Sequence, residues 1–357
     1  MKTVKAWWIP AEDCGREREY LWPYVNREIG IRLYYSGDQS KIQLSRINDG
    51  EKAIVFIDSS VKSFDFLNQF PKSSVVVFFV SDETYSAWKT IRLLLKPSIL
   101  KVFRDYPIGN FSKLTQYPTL LIQAIREEIT VKLPTKFFLR ALVSGLVILV
   151  KQVLMATFSI LTGKNIDCLP LGYTRSFSER YVQNFNLGKD SSILKHSIVG
   201  SFNTIKSKKN PKTFFSGQIG GFDRQVMIHV AKLNGLSIGP LYSQFGGPLN
   251  LSLKKKAESE YFLGLLESKF SICPPGNYSA ESFRYLESLI LYSYPLLKTQ
   301  VLSDPISTLH HAISFEHYVS HINSLSEEST EGEIKKILVE IRAKLLQIRG
   351  ELTFSSR

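Results

Sequence analysis

Residues Lys269–Lys298 read KFSICPPGNYSAESFRYLESLILYSYPLLK, and local chemistry divides them into four pieces. Phe270–Cys273 is a short apolar run of strand length. Pro274-Pro275-Gly276-Asn277 breaks it with residues that favour a tight turn. Ser279 stands as an N-cap, its hydroxyl placed to accept from a free backbone N–H two or three residues on. Glu281 suits the positive end of the helix that follows. The helix gives out at Tyr294-Pro295, and Leu296-Leu297 forms a second short strand. Strand, loop, helix and strand make the unit from which parallel sheets are built, so the chain is predicted to be α/β.

A helix that opens at a Pro/Gly turn directs free N–H groups outward, a geometry suited to phosphate. Arg284 and Glu287, three residues apart, share one face of it. Two readings follow from that spacing. One has Arg284 reach a phosphate and Glu287 a ribose hydroxyl; the other makes them an ion pair on the surface.

Working outward, the first half alternates strands with helices. Val4–Ile9 reads as an opening strand. Ala53–Ile57 (AIVFI) and Val75–Val80 (VVVFFV) are fully apolar, as strands buried on both faces of a parallel sheet are. Each ends in polar residues, and ligands of open α/β sheets collect at the carboxyl ends of strands. Asp82 and Glu83 therefore stand where a catalytic or binding acid is expected, although Asp82 also suits a helix cap. In the second half, Lys212–Gly221 (KTFFSGQIGG) runs from a strand into a glycine-rich turn. Gly217, Gly220 and Gly221 permit close approach of backbone to a ligand. The basic clusters Ser207–Lys209 and Lys254–Lys256 read as solvated faces. His317 and His321 are spaced i, i+4 but lack a matching carboxylate, so no metal site is expected. Ile334, Ile337, Leu338, Ile341, Leu345 and Ile348 form one stripe of a C-terminal helix.

Composition narrows the class. A chain of 357 residues has room for two or three domains, and its apolar and charged fractions are those of a globular protein. Cys14, Cys168 and Cys273 show no metal-ligand spacing and no disulfide framework. The residues before Glu12 carry too short an apolar run for a signal peptide, so a cytoplasmic location is expected. A formal net charge of +13 favours anionic partners. A nucleic-acid reader would need stacking platforms or a recognisable module, and none is evident, so no nucleic-acid partner is expected.

Cys273-Pro274, Gly276, Ser282-Phe283-Arg284, Glu287 and Pro295 together resemble the C-terminal signature of exostosin-like glycosyltransferases. Further segments match in order: Ser81-Asp82-Glu83, Arg104-Asp105-Tyr106, Leu169-Pro170-Leu171-Gly172-Tyr173, and Phe215, Gly217 and Arg224. Pro275 stands where the family usually has Arg, and Tyr292 where it usually has Gly, which is expected to change the turn. The resemblance implies two Rossmann-like domains facing a cleft, the GT-B architecture. Residues 1–164 would bind acceptor, 165–325 would bind the nucleotide sugar, and 326–357 would be a helix packing back toward the first domain. It implies transfer of a sugar from a nucleotide diphosphate, UDP-sugar favoured, to a glycan or lipid-linked glycan, with inversion. Gly217, Arg224, Gly276, Ser282, Arg284 and Glu287 would hold the donor, and Asp82, then Glu83, would be the base. The sequence lacks an Asp-x-Asp triplet, so neither metal nor other cofactor is expected. The departures keep open a catalytically degenerate glycan-binding or scaffold protein of the same fold.

The family pattern is interrupted near 108–164 by Phe137–Leu161, FFLRALVSGLVILVKQVLMATFSIL. Arg140, Ser144, Lys151, Gln152 and Ser159 fall on one narrow stripe of its helical wheel and the rest is apolar. Such a helix suits either a core or the surface of an anionic membrane.

Overall fold

The computed structural model describes residues 4–9, 23–35, 52–58, 61–80, 87–104, 147, 150–151, 153–169, 172–200, 205, 209–218, 227–228, 231–232, 236, 241–242, 251–274, 283–297 and 327–353. The chain is α/β with parallel sheets, and it divides into two compact units. One unit holds Lys5–Cys14 and Leu33–Leu169; the other holds Gly15–Arg32 and Pro170–Phe354.

The first unit is built on a sheet of β1 (Val4–Ile9), β2 (Ile31–Tyr35), β3 (Ala53–Asp58), β4 (Val75–Val80), β5 (Ile99–Arg104) and β6 (Asn165–Cys168), in the order β2-β1-β3-β4-β5-β6. Pairings from β1 through β6 along β3, β4 and β5 are parallel. The apolar strands predicted at 53–57 and 75–80 are therefore central. In register, Phe56, Phe78 and Phe103 stack with centroids 4.6 Å and 4.8 Å apart. On a second cluster, Val55, Ile57, Val77 and Phe79 pack with Val61, Phe64, Leu67, Leu93 and Leu94. Helix α1 (Ala87–Leu95) is the crossover from β4 to β5. Helix α2, described at 147, 150, 151 and 153–162, precedes β6. Met155 packs with Ala87 and Ile91 of α1, and Phe158 reaches both clusters.

The second unit contains a parallel sheet β11-β10-β7, formed by β7 (Asn210–Phe214), β10 (Ser268–Ile272) and β11 (Tyr294–Leu296). A parallel pair, β8 (Gly217–Gln218) and β9 (Leu241–Tyr242), stands beside it in the same unit. Its helices are α3 (Arg175–Asn184), α4 (Ile193–Val199), α5 (Leu251–Glu267), α6 (Phe283–Ile290) and α7 (Glu327–Thr353). The strand–helix–strand unit read from Lys269–Lys298 is present as β10, α6 and β11, with Phe270 opposite Tyr294.

Two expectations are revised. The chain is expected to divide at 164/165, but β6 pairs with β5, so the division follows Leu169. The apolar stripe Ile334–Ile348 of α7 is buried, and among the described residues α7 packs on α4, α6 and the π-helical turn Val25–Ile29 from the N-terminal part of the sequence. Lys209 is half-buried rather than part of a solvated face: its Nζ donates to Leu265 O and Ser268 O, both at 2.8 Å. That ammonium closes the carbonyl end of α5, where the helix dipole is negative, and burial holds it well below the usual lysine range. Lys164, placed before β6 as Lys209 is before β7, does the same for α1 through Leu94 O and Lys96 O. No helix among the described residues is long and apolar enough to cross a membrane.

Gly264 lies inside α5, where glycine costs about 1 kcal/mol relative to alanine. A Cβ there would run into the ring of Phe214 on β7. Gly264→Ala is therefore expected to destabilise the protein by about 1–3 kcal/mol, since overpacking outweighs propensity. Urea unfolding checks this, and a stabilised variant would show that Phe214 can move aside.

Candidate functional site

The site grows from the ends of β7 and β10. After β10, Cys273 donates its N–H to Leu296 O on β11 at 2.9 Å, which carries the parallel pairing one residue further. Helix α6 returns along this sheet with Arg284 through Ile290 all buried. Ser288 stitches it down: its Oγ donates to Arg284 O and accepts from Ser271 Oγ of β10, each at 2.6 Å. The Cys273 thiol lies 3.5 Å from Ser271 Oγ, and burial pushes its ionisation up, so it is a neutral packing group.

Glu287 has no solvent exposure. One oxygen, Oε1, accepts from Thr174 N at 2.8 Å and Thr174 Oγ1 at 2.7 Å; Oε2 accepts from Tyr261 OH at 2.7 Å. Thr174 is in turn the N-cap of α3, accepting from Phe177 N. Helix α3 has no acid in its first turn, so Glu287 supplies the negative charge from a distant part of the chain. The ribose contact expected of Glu287 is not what the carboxylate makes here: it is fully enclosed and accepts from three protein donors. A surface ion pair is equally ruled out by burial. Desolvation raises Glu287 above the usual carboxylate range, opposed by its hydrogen bonds and the Arg284 charge. Burial and the neighbouring carboxylate keep the Tyr261 phenol a neutral donor.

Glu28 repeats the arrangement in the same unit. It accepts from Ser192 Oγ (2.6 Å), Ile193 N (2.8 Å), Leu194 N (3.2 Å) and Tyr173 OH (3.0 Å), closing the start of α4. This helix too lacks an acid in its first turn. Sequence reasoning missed Glu28, Thr174 and Tyr261. The available signal was negative: two helices with Thr or Ser caps and no acid in the first turn.

Arg284 differs from these groups. It is 7% exposed, its guanidinium 4.9 Å from the Phe283 ring centroid and 5.9 Å from that of Phe215. Its Nε is buried without a hydrogen-bond acceptor, and among the described residues no carboxylate forms an ion pair with it. Phe215 and Ser216 are buried and lead from β7 directly into Gly217 of β8. Three parts of the chain thus meet at α6: Thr174, just after the Leu169–Tyr173 segment, Phe215 after β7, and Ser271 and Cys273 of the β10 end. Gly172 is needed where it stands, because a Cβ would fall 2.6 Å from Tyr24 Cβ. Asp82, Glu83, Arg224, Gly276 and Ser282 lie outside the described residues, as do Ser279, His317 and His321. Among the described residues, no group of three His, Cys, Asp or Glu could hold a metal ion.

Tyr292 does not change the turn it was expected to change. It adopts a left-handed φ of 54° directly after α6, with Tyr292 N donating to Leu289 O and Ser293 N to Ser288 O. That is the hydrogen-bonded helix end usually made by glycine. The strain, about 1–2 kcal/mol, is offset by burial of the ring and a 3.1 Å bond from Tyr292 OH to Ser197 O of α4.

Glu287→Ala is expected to cost about 3 kcal/mol or more, because it strands the Thr174 and Tyr261 donors. Glu287→Gln keeps an acceptor for Thr174 and should stay within about 1.5 kcal/mol of the parent. Burial raises Glu28 and Glu287 from 4.5 in the folded chain, so the folded state binds protons that the unfolded chain has released. Their contribution to stability is accordingly present below the unfolded value and lost as pH rises through the folded values. Thermal unfolding of the Glu28→Gln, Glu287→Gln pair should show a flatter loss of Tm as pH rises above the unfolded value of 4.5 than the parent does.

No protein-family model matches this chain, and no curated protein matches it significantly.

Proposed function

We propose that this protein is a glycosyltransferase of GT-B architecture, transferring a sugar from a nucleotide diphosphate, UDP-sugar favoured, to a glycan acceptor. The observation that carries this reading is Arg284: a nearly buried guanidinium, flanked by two aromatic rings, with no carboxylate paired to it among the described residues. A desolvated cation is costly unless an anion accompanies it. A diphosphate supplies that charge, and guanidinium geometry suits it. The position supports the same reading. Arg284 lies beside the residues that follow β7, and ligands of parallel sheets collect at the carboxyl ends of strands.

In the transfer step the bond from the anomeric carbon to the diphosphate breaks as the acceptor oxygen attacks from the opposite face. The departing diphosphate gains negative charge, and Arg284 stabilises that charge, assisted by Arg224 and by N–H groups near Gly217, Gly276 and Ser282. Glu287 is a positioning residue in this scheme, fixing α6 against α3 and α5. Asp82, which follows β4 by two residues, takes the acceptor proton, with Glu83 second. One base and no covalent intermediate invert the anomeric centre. With no Asp-x-Asp triplet in the sequence, turnover is expected to survive EDTA.

Titration with UDP and a panel of UDP-sugars tests the donor site. The parent should bind, and Arg284→Ala should lose about 1.5–3 kcal/mol of binding while keeping its unfolding midpoint. Equal affinity in the variant, or no nucleotide binding by the parent, removes the donor assignment. Nucleotide binding without transfer to any acceptor would instead favour the catalytically degenerate alternative.

Asp82→Asn should depress kcat by about two to four orders of magnitude and leave donor affinity nearly unchanged. Loss of donor affinity with turnover preserved would place Asp82 outside acceptor activation.

A further inference from the structure

Helix α2 is built inside out. Met155 is fully buried and Phe158 packs inward, and the same half of the wheel carries Lys151, Ser159 and Thr162. The hydroxyls there are satisfied locally, Ser159 Oγ on Lys164 O and Thr162 Oγ1 on Phe158 O. The outward half is apolar: Val150, Val153, Ile160 and Leu161 are exposed, Ile160 by 67% and Leu161 by 73%. Its one hydroxyl, Thr157, donates back to Val153 O. Val147 extends the row by one turn and is also exposed. A water-facing helix places its polar residues the other way round.

Helix α1, which packs against α2 through Ala87 and Ile91, adds to this surface. Its outer side carries Trp88, 65% exposed, with Arg92 and Leu95, at i, i+4 and i+7. Charge points the same way: Arg92 is exposed between Trp88 and Leu95 on this side of α1, and the chain carries a formal net charge of +13.

We propose that the α1–α2 face binds the surface of an anionic lipid bilayer, with α2 lying in the interface plane. An exposed apolar stripe, an exposed tryptophan beside an exposed arginine and a strongly positive chain are what such a surface recognises. A partner of the same chain would bring a second cationic face against the first. Among the described residues no helix is long and apolar enough to span the membrane, and Lys151 interrupts the apolar run of α2. This inference does not depend on the transferase reading.

The test is co-sedimentation of the full chain with phosphatidylcholine vesicles, with and without phosphatidylserine. Binding is expected to vesicles containing phosphatidylserine and to fall with salt. The triple variant Val153→Asn, Ile160→Asn, Leu161→Asn should bind about tenfold more weakly or worse, with an unchanged far-UV CD spectrum. Leu95→Asn on α1 provides a second variant should the first misfold, and is expected to weaken binding in the same direction. Trp88 should shift its fluorescence to the blue on vesicle addition, and Trp88→Phe should abolish that shift. A parent chain that stays in the supernatant overturns the proposal, as does a triple variant that binds like the parent. So does a dimer in sedimentation velocity that the triple variant dissociates while vesicles capture nothing, since the face would then belong to a second copy.

Discussion

The second unit depends on a carboxylate without water. Glu287 is fully enclosed and receives three hydrogen bonds from two residues far from it in sequence. An isolated carboxylate in such a place would be expensive; one that meets a helix N-terminus and a phenol is not. Through it α6 is tied to α3 at Thr174 and to α5 at Tyr261. Arg284, one helical turn earlier, inherits its position from that anchorage. The group that looks most like a ligand contact in sequence thus serves the fold, and its neighbour Arg284 is left as a nearly buried cation with no ion pair among the described residues.

Helix ends are managed the same way across the molecule, by charges brought from elsewhere in the chain. Glu28 and Glu287 meet the starts of α4 and α3. Lys164 and Lys209 meet the ends of α1 and α5, in two different units and each within a Lys-Asn pair opening a strand. The signs follow the helix dipole, acid at the N-terminus and base at the C-terminus. A parallel sheet makes this repeat natural. Each crossover helix returns the chain to the edge where the strands begin, so a residue just ahead of one strand lies close to the end of the helix leading into its neighbour.

Helix α2 departs from the usual balance. Elsewhere the apolar stripes face inward, as on α7, where Ile334, Ile337, Ile341 and Ile348 are buried. In α2 the inward half accommodates small hydroxyl residues beside Met155 and Phe158, and the outward half is aliphatic. Of the polar stripe read on the helical wheel, Lys151 and Ser159 share the side of Met155, a direction that only the sheet beneath could set.

The sequence by itself determined the elements whose patterns are local. Uninterrupted apolar runs marked β3 and β4, the Pro/Gly turn between apolar segments marked β10, α6 and β11, and the stripe of α7 was legible residue by residue. It also selected Arg284 and Phe215–Gly217 as neighbours of interest, through a resemblance that tells nothing of distance. Tertiary structure decided what depends on long-range contact: that Glu287 faces Thr174 and Tyr261, that Lys209 closes the end of α5, that Tyr292 keeps a glycine's turn, and that β6 belongs to the first sheet. The reason is physical. Backbone periodicity and turn chemistry act within a few residues, whereas the partner of a buried charge lies 113 residues away in the case of Thr174 and Glu287, and only packing brings the two together.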